Sequence, residues 1–433
     1  MTRGRRWLIR AAFSGVLSLR VGAVGAESAP PVGASVADEA SLVRFALAHN
    51  PELRALRWDE DIANANVGTA QALSNPVARA EWLHVQTKSD YGWGLGLSWA
   101  PPQPGVYGSR KDAARAEVRA VREDFKERTA DLEAAVRGSC AQIRALGEEV
   151  ALAEKSVATR RALQQAVKER LAHGAASRID LSLVAVSLAR GEQEREILEL
   201  TRQSALIELQ GLLGSPADRP LELKPSPGGA EAAAAEAGGA HTDEQLVRQA
   251  IAARPQVRAD VARVEATTAT LSAEQARAWP RLELLGRYRR HDQATYPDDL
   301  SLGVDLTLPL LSLNGGPIDA AEATQRKQHE IALAHRLGIE RDVRTLRAES
   351  VRRAQIADHY RQQIAPVLAE HAALVKQALA GMALDLTSVL TAEDMTTRGG
   401  IEYVEAELAQ RKAQIALARA LGAYGRVGAA GVK

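Results

Sequence analysis

The chain has 433 residues, with 55 Lys and Arg against 54 Asp and Glu and a formal net charge of +1. This balance excludes the strongly basic surface by which proteins hold nucleic acid. Hydrophobic residues make up 46% of the chain but aromatic residues only 4%. Such a composition is typical of long helices packed side by side and not of one compact core.

The N-terminus has the pattern of a secretory signal. Basic residues precede a short apolar run over residues 11–19, and the small residues Val24-Gly25-Ala26 follow. The sequence therefore predicts a signal peptide over residues 1–26. The apolar run is too short to cross a bilayer, and no later segment reaches that length without charges. We therefore expect any part inserted in a membrane to consist of β-strands.

The remainder of the chain contains an internal repeat. Residues 42–55 align without a gap with residues 246–259, at an offset of 204, and the match continues to Pro76 and Pro280. Matches in register over this length predict a duplicated architecture. The segment between the copies is rich in Pro, Gly and Ala, which is typical of a linker or a surface excursion. We expect a first copy over 37–214, the connecting segment over 215–241, a second copy over 242–424 and a flexible tail over 425–433.

Each copy predicts the same series of elements. A first helix ends near a proline, Pro51 or Pro255, because the residue before a proline avoids the helical region. A second helix follows, and then a β-hairpin, over about residues 76–104 in the first copy and 280–312 in the second. A very long helix, a tight turn and a returning helix complete each copy.

The long helix of the first copy is visible from its apolar pattern. Residues 110–172 contain no proline, and apolar side chains recur at three or four residues, close to the 3.5-residue seam of coiled coils. A helix of roughly 90–100 Å, at 1.5 Å per residue, must lie along other helices. The lone cysteine, Cys140, falls on the apolar stripe. We interpret it as a small core residue, with no cysteine available to form an intrachain disulfide.

The hairpin strands alternate large apolar residues with small or polar ones, which places the two kinds on opposite faces of a sheet. We predict a lipid-facing set of Trp93, Leu95, Leu97, Trp99, Leu302, Val304 and Leu306. We predict a lumen-facing set of Arg281, Glu283, Arg287 and Asp305. A soluble sheet can show the same alternation, but an isolated hairpin is marginal in water and aromatic residues near strand ends are typical of membrane barrels. Four strands cannot close a barrel, so several chains are expected to share one.

With this order of elements the sequence resembles the TolC-like outer-membrane efflux protein family over nearly the whole mature chain. His49-Asn50-Pro51-Glu52-Leu53 is similar to an early element of the family. Pro309-Leu310-Leu311 with Asn314-Gly315-Gly316 is similar to its exit from strand to helix. Residues 379–386 with Val389-Leu390 resemble its helical tip.

The resemblance implies an α+β fold, in which a long α-helical coiled-coil barrel continues a small transmembrane β-barrel shared by a homotrimer, with four strands per protomer. It implies an efflux duct in the outer membrane of a Gram-negative bacterium, with a periplasmic helical portion and with outer-membrane lipid around the barrel. A periplasmic adaptor protein and an inner-membrane efflux pump would be its partners. Within the family, the chain most resembles the branch serving heavy-metal pumps of the cobalt–zinc–cadmium type. Many relatives carry an acyl chain on an N-terminal cysteine; because Cys140 is the only cysteine, this protein is expected to lack that anchor.

The two helical turns are the surface predicted to dock the adaptor. The resemblance assigns this role to the tip residues, here Gly174, Ser177, Arg178, Asp180, Gly381, Leu384 and Asp385. The same residues are also expected to have a local structural role, since the two glycines are expected to end helices in the left-handed conformation. Ser177 and Asp385 are expected to cap the helices that follow. The two explanations are compatible, because a docking turn must also be rigid.

The sequence predicts no catalytic, cofactor-binding or metal site. It contains no nucleophile elbow, phosphate-binding glycine loop, HExxH sequence or paired-cysteine motif, and its nine histidines are scattered. We therefore expect a conduit and not an enzyme. A soluble periplasmic coiled-coil adaptor or scaffold remains the alternative. It accounts for the helices and the signal, but not for the alternating strands or the duplication.

Overall fold

The computed structural model describes residues 38–85, 90–216, 223, 241–291, 297–381 and 386–425. The predicted signal peptide over residues 1–26 lies outside the described residues. So do most of the predicted connecting segment, 215–241, and most of the predicted tail, 425–433.

Two short helices open the first copy. α1 spans Glu39–His49 and α2 spans Pro51–Gln71. The side-chain carbonyl of Asn50 accepts a hydrogen bond of 3.0 Å from the Leu53 backbone N–H, and its amide donates one of 2.9 Å to the Leu212 carbonyl oxygen. The break predicted before Pro51 is therefore also an N-cap, and it ties the start of α2 to a distant helix.

A long helical hairpin follows the first pair of strands. α3 spans Val106–Ala172 and α4 spans Arg178–Leu213. With 67 residues, α3 is about 100 Å long. Its predicted apolar stripe is buried, and Val136 and Cys140 have no exposed surface. Burial raises the pKa of the Cys140 thiol to about 12, so this side chain is an inert core residue.

The second copy repeats this order with one difference. α5, α6, α7, α8 and α9 span Asp243–Ala253, Pro255–Ala276, Gly315–His359, Ala365–Gly381 and Leu386–Ala420. A π-helical turn over Tyr360–Ile364 joins α7 to α8, so the long helix of this copy is interrupted, whereas α3 is continuous. Pro366 lies two residues beyond this turn and has no backbone N–H to continue the helical ladder. Among the described residues, no helix is both long enough and apolar enough to cross a membrane.

The two hairpins form one antiparallel sheet of four strands. β1, β2, β3 and β4 span Val77–Val85, Asp90–Trp99, Arg281–His291 and Asp299–Thr307. The strands lie in chain order, so β2 of the first copy pairs with β3 of the second. Each hairpin alone would be marginal in water. Their pairing joins the two copies and leaves β1 and β4 as the edges of the sheet.

Among the described residues, buried apolar side chains form three clusters. One packs α1 against α3 and α4 and includes Leu42 and Leu209. A second packs α5 against α7 and α9 and includes Leu246 and Leu417. The third joins the far ends of the four long helical segments, and its buried members are Leu163, Val167, Val184, Val375 and Val389. This third cluster holds the two helical hairpins together close to their turns.

Candidate functional site: the two-faced sheet and the helical turn

Strand pairing carries the predicted alternation across all four strands. Residues directly opposite each other in antiparallel strands point to the same face. Leu97 lies opposite Ala78 and Gly286, and Gly286 lies opposite Leu302. The same face therefore contains the whole predicted lipid-facing set: Trp93, Leu95, Leu97, Trp99, Leu302, Val304 and Leu306. We call it the apolar face; apart from Arg290, every side chain that the structure describes on it is apolar or aromatic.

The apolar face is exposed in the single chain. Trp82 on β1 is 89% exposed and Leu302 on β4 is 84% exposed. A soluble monomer rarely leaves so large a contiguous apolar surface in water. This face needs an apolar environment.

The opposite face, which we call the charged face, contains the predicted lumen-facing residues Arg281, Glu283, Arg287 and Asp305. On β1 it continues with Arg79 and Glu81, and Glu81 lies 4.0 Å from the Arg287 guanidinium. The β2 positions on this face are mostly glycine. Small residues on one strand leave room beside the charged side chains of the others. The sheet thus separates an apolar surface from a hydrated one.

The junction between strands and helices is held by side chains that the sequence pattern did not reveal. Trp99 Nε1 donates to the Ser74 carbonyl oxygen at 2.9 Å, and Gln103 Nε2 donates to the Trp279 carbonyl oxygen at 2.8 Å. The second bond joins the two copies. These contacts fix the sheet relative to the long helices.

The turn after α3 has the predicted glycine geometry. Gly174 has a φ of 70°, and its N–H donates to the Leu171 carbonyl oxygen at 3.0 Å. The Ala175 N–H donates to the Arg170 carbonyl oxygen at 2.8 Å. These bonds satisfy carbonyl groups that a helix end leaves free. A Cβ at Gly174 would meet no atom within 4 Å, so the positive φ, and not lack of space, favours glycine.

Ser177 and Asp180 cap the returning helix. The Asp180 N–H donates to Ser177 Oγ at 3.1 Å, and the Ser177 N–H donates to Asp180 Oδ2 at 2.8 Å. The hydrogen bond from the Ser177 backbone N–H, and then that from the Ser177 side chain, lower the pKa of the Asp180 carboxyl. The capping role predicted for Ser177 is confirmed as a reciprocal capping box. Arg178, the first residue of α4, is exposed.

The second turn is described only in part. Gly381 is the last helical residue of α8, whereas the sequence led us to expect it beyond the helix end. The predicted tip residues Leu384 and Asp385 lie outside the described residues.

Two features beside the first turn went unnoticed in the sequence. Ile179, Leu183 and Val186 on α4 are all about half exposed or more, and their spacing places them on one face of the helix. A groove of about 560 Å³ lies between α4 and α9, and Leu183, Val186, Leu390 and Asp394 are among the residues that line it. The apolar residues of α4 could be read from the sequence as candidates for this surface. Long helices in a bundle carry many such residues, so the pattern alone does not distinguish these three.

A buried arginine forms part of this groove. Arg160 on α3 is 5% exposed; its Nη1 donates to the Ser187 carbonyl oxygen at 2.8 Å, and its Nη2 lies 3.5 Å from Asp394. A Cβ at Gly191 would lie 3.2 Å from Arg160 Nη1. Gly191 thus admits the guanidinium, which links α3 to α4 and α9. In the part of the chain that the structure describes, no three His, Cys, Asp or Glu side chains are grouped so that they could hold a metal ion.

The sequence and the architecture are both similar to those of known proteins. Residues 42–215 match the family model described as outer membrane efflux protein. No curated protein matches the chain. One similar solved structure is a membrane protein from Pseudomonas aeruginosa, with a TM-score of 0.75 and 21% identity over 89% of this chain and 92% of that chain.

Two further structures show the same fold. The CmeC outer membrane channel of Campylobacter jejuni has a TM-score of 0.73 and 13% identity, over 89% of this chain and 85% of that one. The MtrE outer membrane channel of Neisseria gonorrhoeae, in its open state, has a TM-score of 0.71 and 18% identity, over 89% of this chain and 88% of that one. The predicted fold class is confirmed, and the adaptor alternative is not favoured. The first copy thus matches the outer membrane efflux protein family model, and the two copies together share the fold of these outer membrane channels.

Proposed function

We propose that the chain is one protomer of a trimeric efflux duct in the outer membrane of a Gram-negative bacterium. The observation that carries the proposal is the sheet, whose apolar face, apart from Arg290, continues across strands from both copies. Its charged face lies directly behind. A wall between lipid and water needs this separation.

The number of strands supports a trimer. Four strands are too few to close a barrel, and β1 and β4 are open edges in the single chain. Exposed edges and an exposed apolar face are both liabilities in water. Three copies would supply twelve strands, and their long helices would continue the barrel as a periplasmic tunnel.

The helical turn is the proposed docking site for a periplasmic adaptor, which would couple the duct to an inner-membrane pump. Its geometry supports this role, because Gly174 and the Ser177–Asp180 capping box hold the turn rigid. Ile179, Leu183 and Val186 continue it as an exposed apolar stripe. Apolar anchors at this spacing suit a partner helix lying in a groove.

Within this proposal the cargo is heavy-metal cations, as the sequence resemblance suggests, and the protein performs no catalysis. Cations would cross as hydrated ions, since the charged face carries carboxylates and guanidinium groups that a water layer screens. The test is the growth of a deletion strain on cobalt, zinc and cadmium salts, with and without the gene. Resistance restored to drugs but not to metals would contradict this choice of cargo.

Membrane fractionation tests the duct itself. The protein should separate with the outer membrane, sediment as a trimer in detergent and migrate as a trimer on gels before boiling but as a monomer afterwards. A monomer in the periplasmic fraction would contradict the proposal.

A further inference from the structure

The segment between β4 and α7 carries a run of exposed leucines. Leu310 is 81% exposed, Leu311 is 102% exposed and Leu313 is 67% exposed. Residues 306–318 contain no charged side chain. We call residues 308–313 the leucine loop. A folded chain rarely leaves such a run in water, so the loop needs an apolar environment of its own.

The first copy has a different sequence at the same place. Gly105 and Asn314 each precede a long helix and are 209 residues apart (314 − 105). Ser98 and Thr307, each paired with the first residue of its hairpin, have the same offset (307 − 98). The three most exposed leucines therefore correspond to prolines, namely Pro101, Pro102 and Pro104. The apolar loop belongs to the second copy alone.

A contact between copies does not cover these positions. Within the chain the two copies meet at this junction, where Gln103 Nε2 donates to the Trp279 carbonyl oxygen at 2.8 Å. Pro102 and Pro104, which flank Gln103, remain exposed beside this contact. A second copy bound in the same way would therefore leave the two equivalent positions of the leucine loop exposed.

The apolar face of β4 is too short for a membrane by itself. At the end away from the helices, the Tyr288 hydroxyl donates to Asp298 Oδ2 at 2.7 Å, and this charged residue limits the apolar face beyond Leu300. From Leu300 to Leu308 the chain advances about 27 Å, at about 3.4 Å per residue. With a barrel tilt of about 40°, this gives a height of about 21 Å, whereas the apolar band of membrane barrels is about 25 Å tall. The missing height lies at the end next to the helices, where the leucine loop begins.

An exposed tryptophan lies at the same end of the sheet. Trp279, two residues before β3, is 71% exposed. Aromatic residues are enriched in membrane barrels where lipid meets water. Tryptophan and leucine together are typical of segments that enter the boundary between headgroups and acyl chains. The composition of this junction therefore fits a lipid surface.

We propose that the leucine loop inserts into the periplasmic leaflet of the outer membrane, where Leu310, Leu311 and Leu313 contact phospholipid acyl chains. The proposal rests on the proposed function, because a barrel in the outer membrane places this end of the sheet toward the periplasm. Displacement of the duct toward the exterior would bring the leucines among the headgroups. The loop thus holds the sheet at a fixed depth in the bilayer.

A fluorescent probe tests the environment of the loop. In a Cys140→Ala background, Leu311→Cys is labelled with an environment-sensitive fluorophore, and trimers are reconstituted in vesicles of phosphatidylethanolamine and phosphatidylglycerol. Leu313→Cys provides an independent probe position in the same loop. Ala323→Cys is the matched control, since this residue is exposed and lies about 12 Å along α7 from its first residue. The same vesicles are prepared with nitroxide-labelled phospholipid, and iodide is added to the water.

We expect the emission of the loop probes to shift to shorter wavelength and to be quenched by the nitroxide lipid but not by iodide. The control probe should show the reverse. Loop probes that iodide quenches would overturn the inference, and so would loop probes that neither agent quenches, because the second result shows a protein cover. Either result from a trimer inserted in the vesicles leaves the duct intact. A chain that never inserts as a trimer would overturn the proposed function as well.

Discussion

Gly105 and Asn314 hold the same position in the two copies, one residue before the long helices, and both have a positive φ, 86° and 59°. Glycine adopts this conformation without cost, and asparagine is the residue type that tolerates it next best. The Asn314 side-chain amide also donates to the Glu274 carbonyl oxygen at 2.7 Å. Both turns from sheet to helix thus use a positive φ, although the ψ angles, −41° at Gly105 and 23° at Asn314, and the sequences differ.

Gly105→Ala should destabilise the protein by roughly 1–2 kcal/mol, because a side chain is strained at this φ. The new Cβ would also lie 3.0 Å from the Ala276 Cβ. Gly108→Ala is the matched control, since a Cβ there meets no atom within 4 Å and alanine favours the helix. Thermal unfolding in detergent measures both; equal losses would show that the positive φ is not the cause.

Val304→Arg should impair membrane insertion, because a cation on the lipid side near mid-bilayer costs about 2–4 kcal/mol. Asp305→Asn changes the neighbouring residue, which lies on the charged face, and should insert normally. The amount of trimer in outer-membrane fractions measures the difference. Equal insertion of the two variants would mean that the assignment of the faces to lipid and lumen is wrong.

Gly174→Val should reduce adaptor crosslinking and efflux while leaving the trimer in the membrane, because the sheet lies about 100 Å away along α3. Gly174→Asn is the control, since asparagine tolerates a positive φ. Trimer level, adaptor crosslinking and substrate resistance are measured side by side. Full export by the valine variant at normal trimer level would show that this turn neither docks the adaptor nor supports the docking surface.

Protonation of Glu127 should lower the stability of the protein in acid. Burial would raise the pKa of Glu127, but hydrogen bonds from Arg419 and Arg254 outweigh it and leave the pKa below the ordinary value of 4.5. A lowered pKa in the folded state contributes stability above the unfolded pKa, and this contribution is lost as the pH falls through the folded pKa. Glu127→Gln should therefore lose stability at pH 7 but show a weaker dependence below about pH 4.5. Unfolding curves measured at pH 7 and at acid pH test this prediction. Equal pH dependence of the variant and the unmodified protein would contradict it.

Glu149 should act in the opposite direction. Burial raises the pKa of its carboxyl, and the carboxylates of Glu405 and Glu148 raise it further. The folded state then favours the protonated form, so the ionised carboxylate weakens the fold at neutral pH and the penalty disappears on acidification. Glu149→Gln should raise the unfolding temperature at pH 7 and make little difference at acid pH. A loss of stability at pH 7 would show that the carboxylate has a partner that the mutation removes.

The sequence by itself determined the features that neighbouring residues encode. The duplication, the lengths of the long helices, the two faces of the strands, the glycine at 174 and the cap at Ser177 are all local patterns. Periodicity and turn chemistry depend on residues a few positions apart, so they can be predicted without the fold.

Only the tertiary structure decided which distant segments meet. Each hairpin has two edges, and nothing local selects β2 and β3 as the strands that join the copies. The burial of Arg160 beside Gly191, the left-handed Asn314 and the π-helical turn at Tyr360–Ile364 also depend on neighbours far along the chain. These features are set by tertiary packing. The free energy of a buried contact depends on both residues that make it, so the sequence around one of them does not predict it.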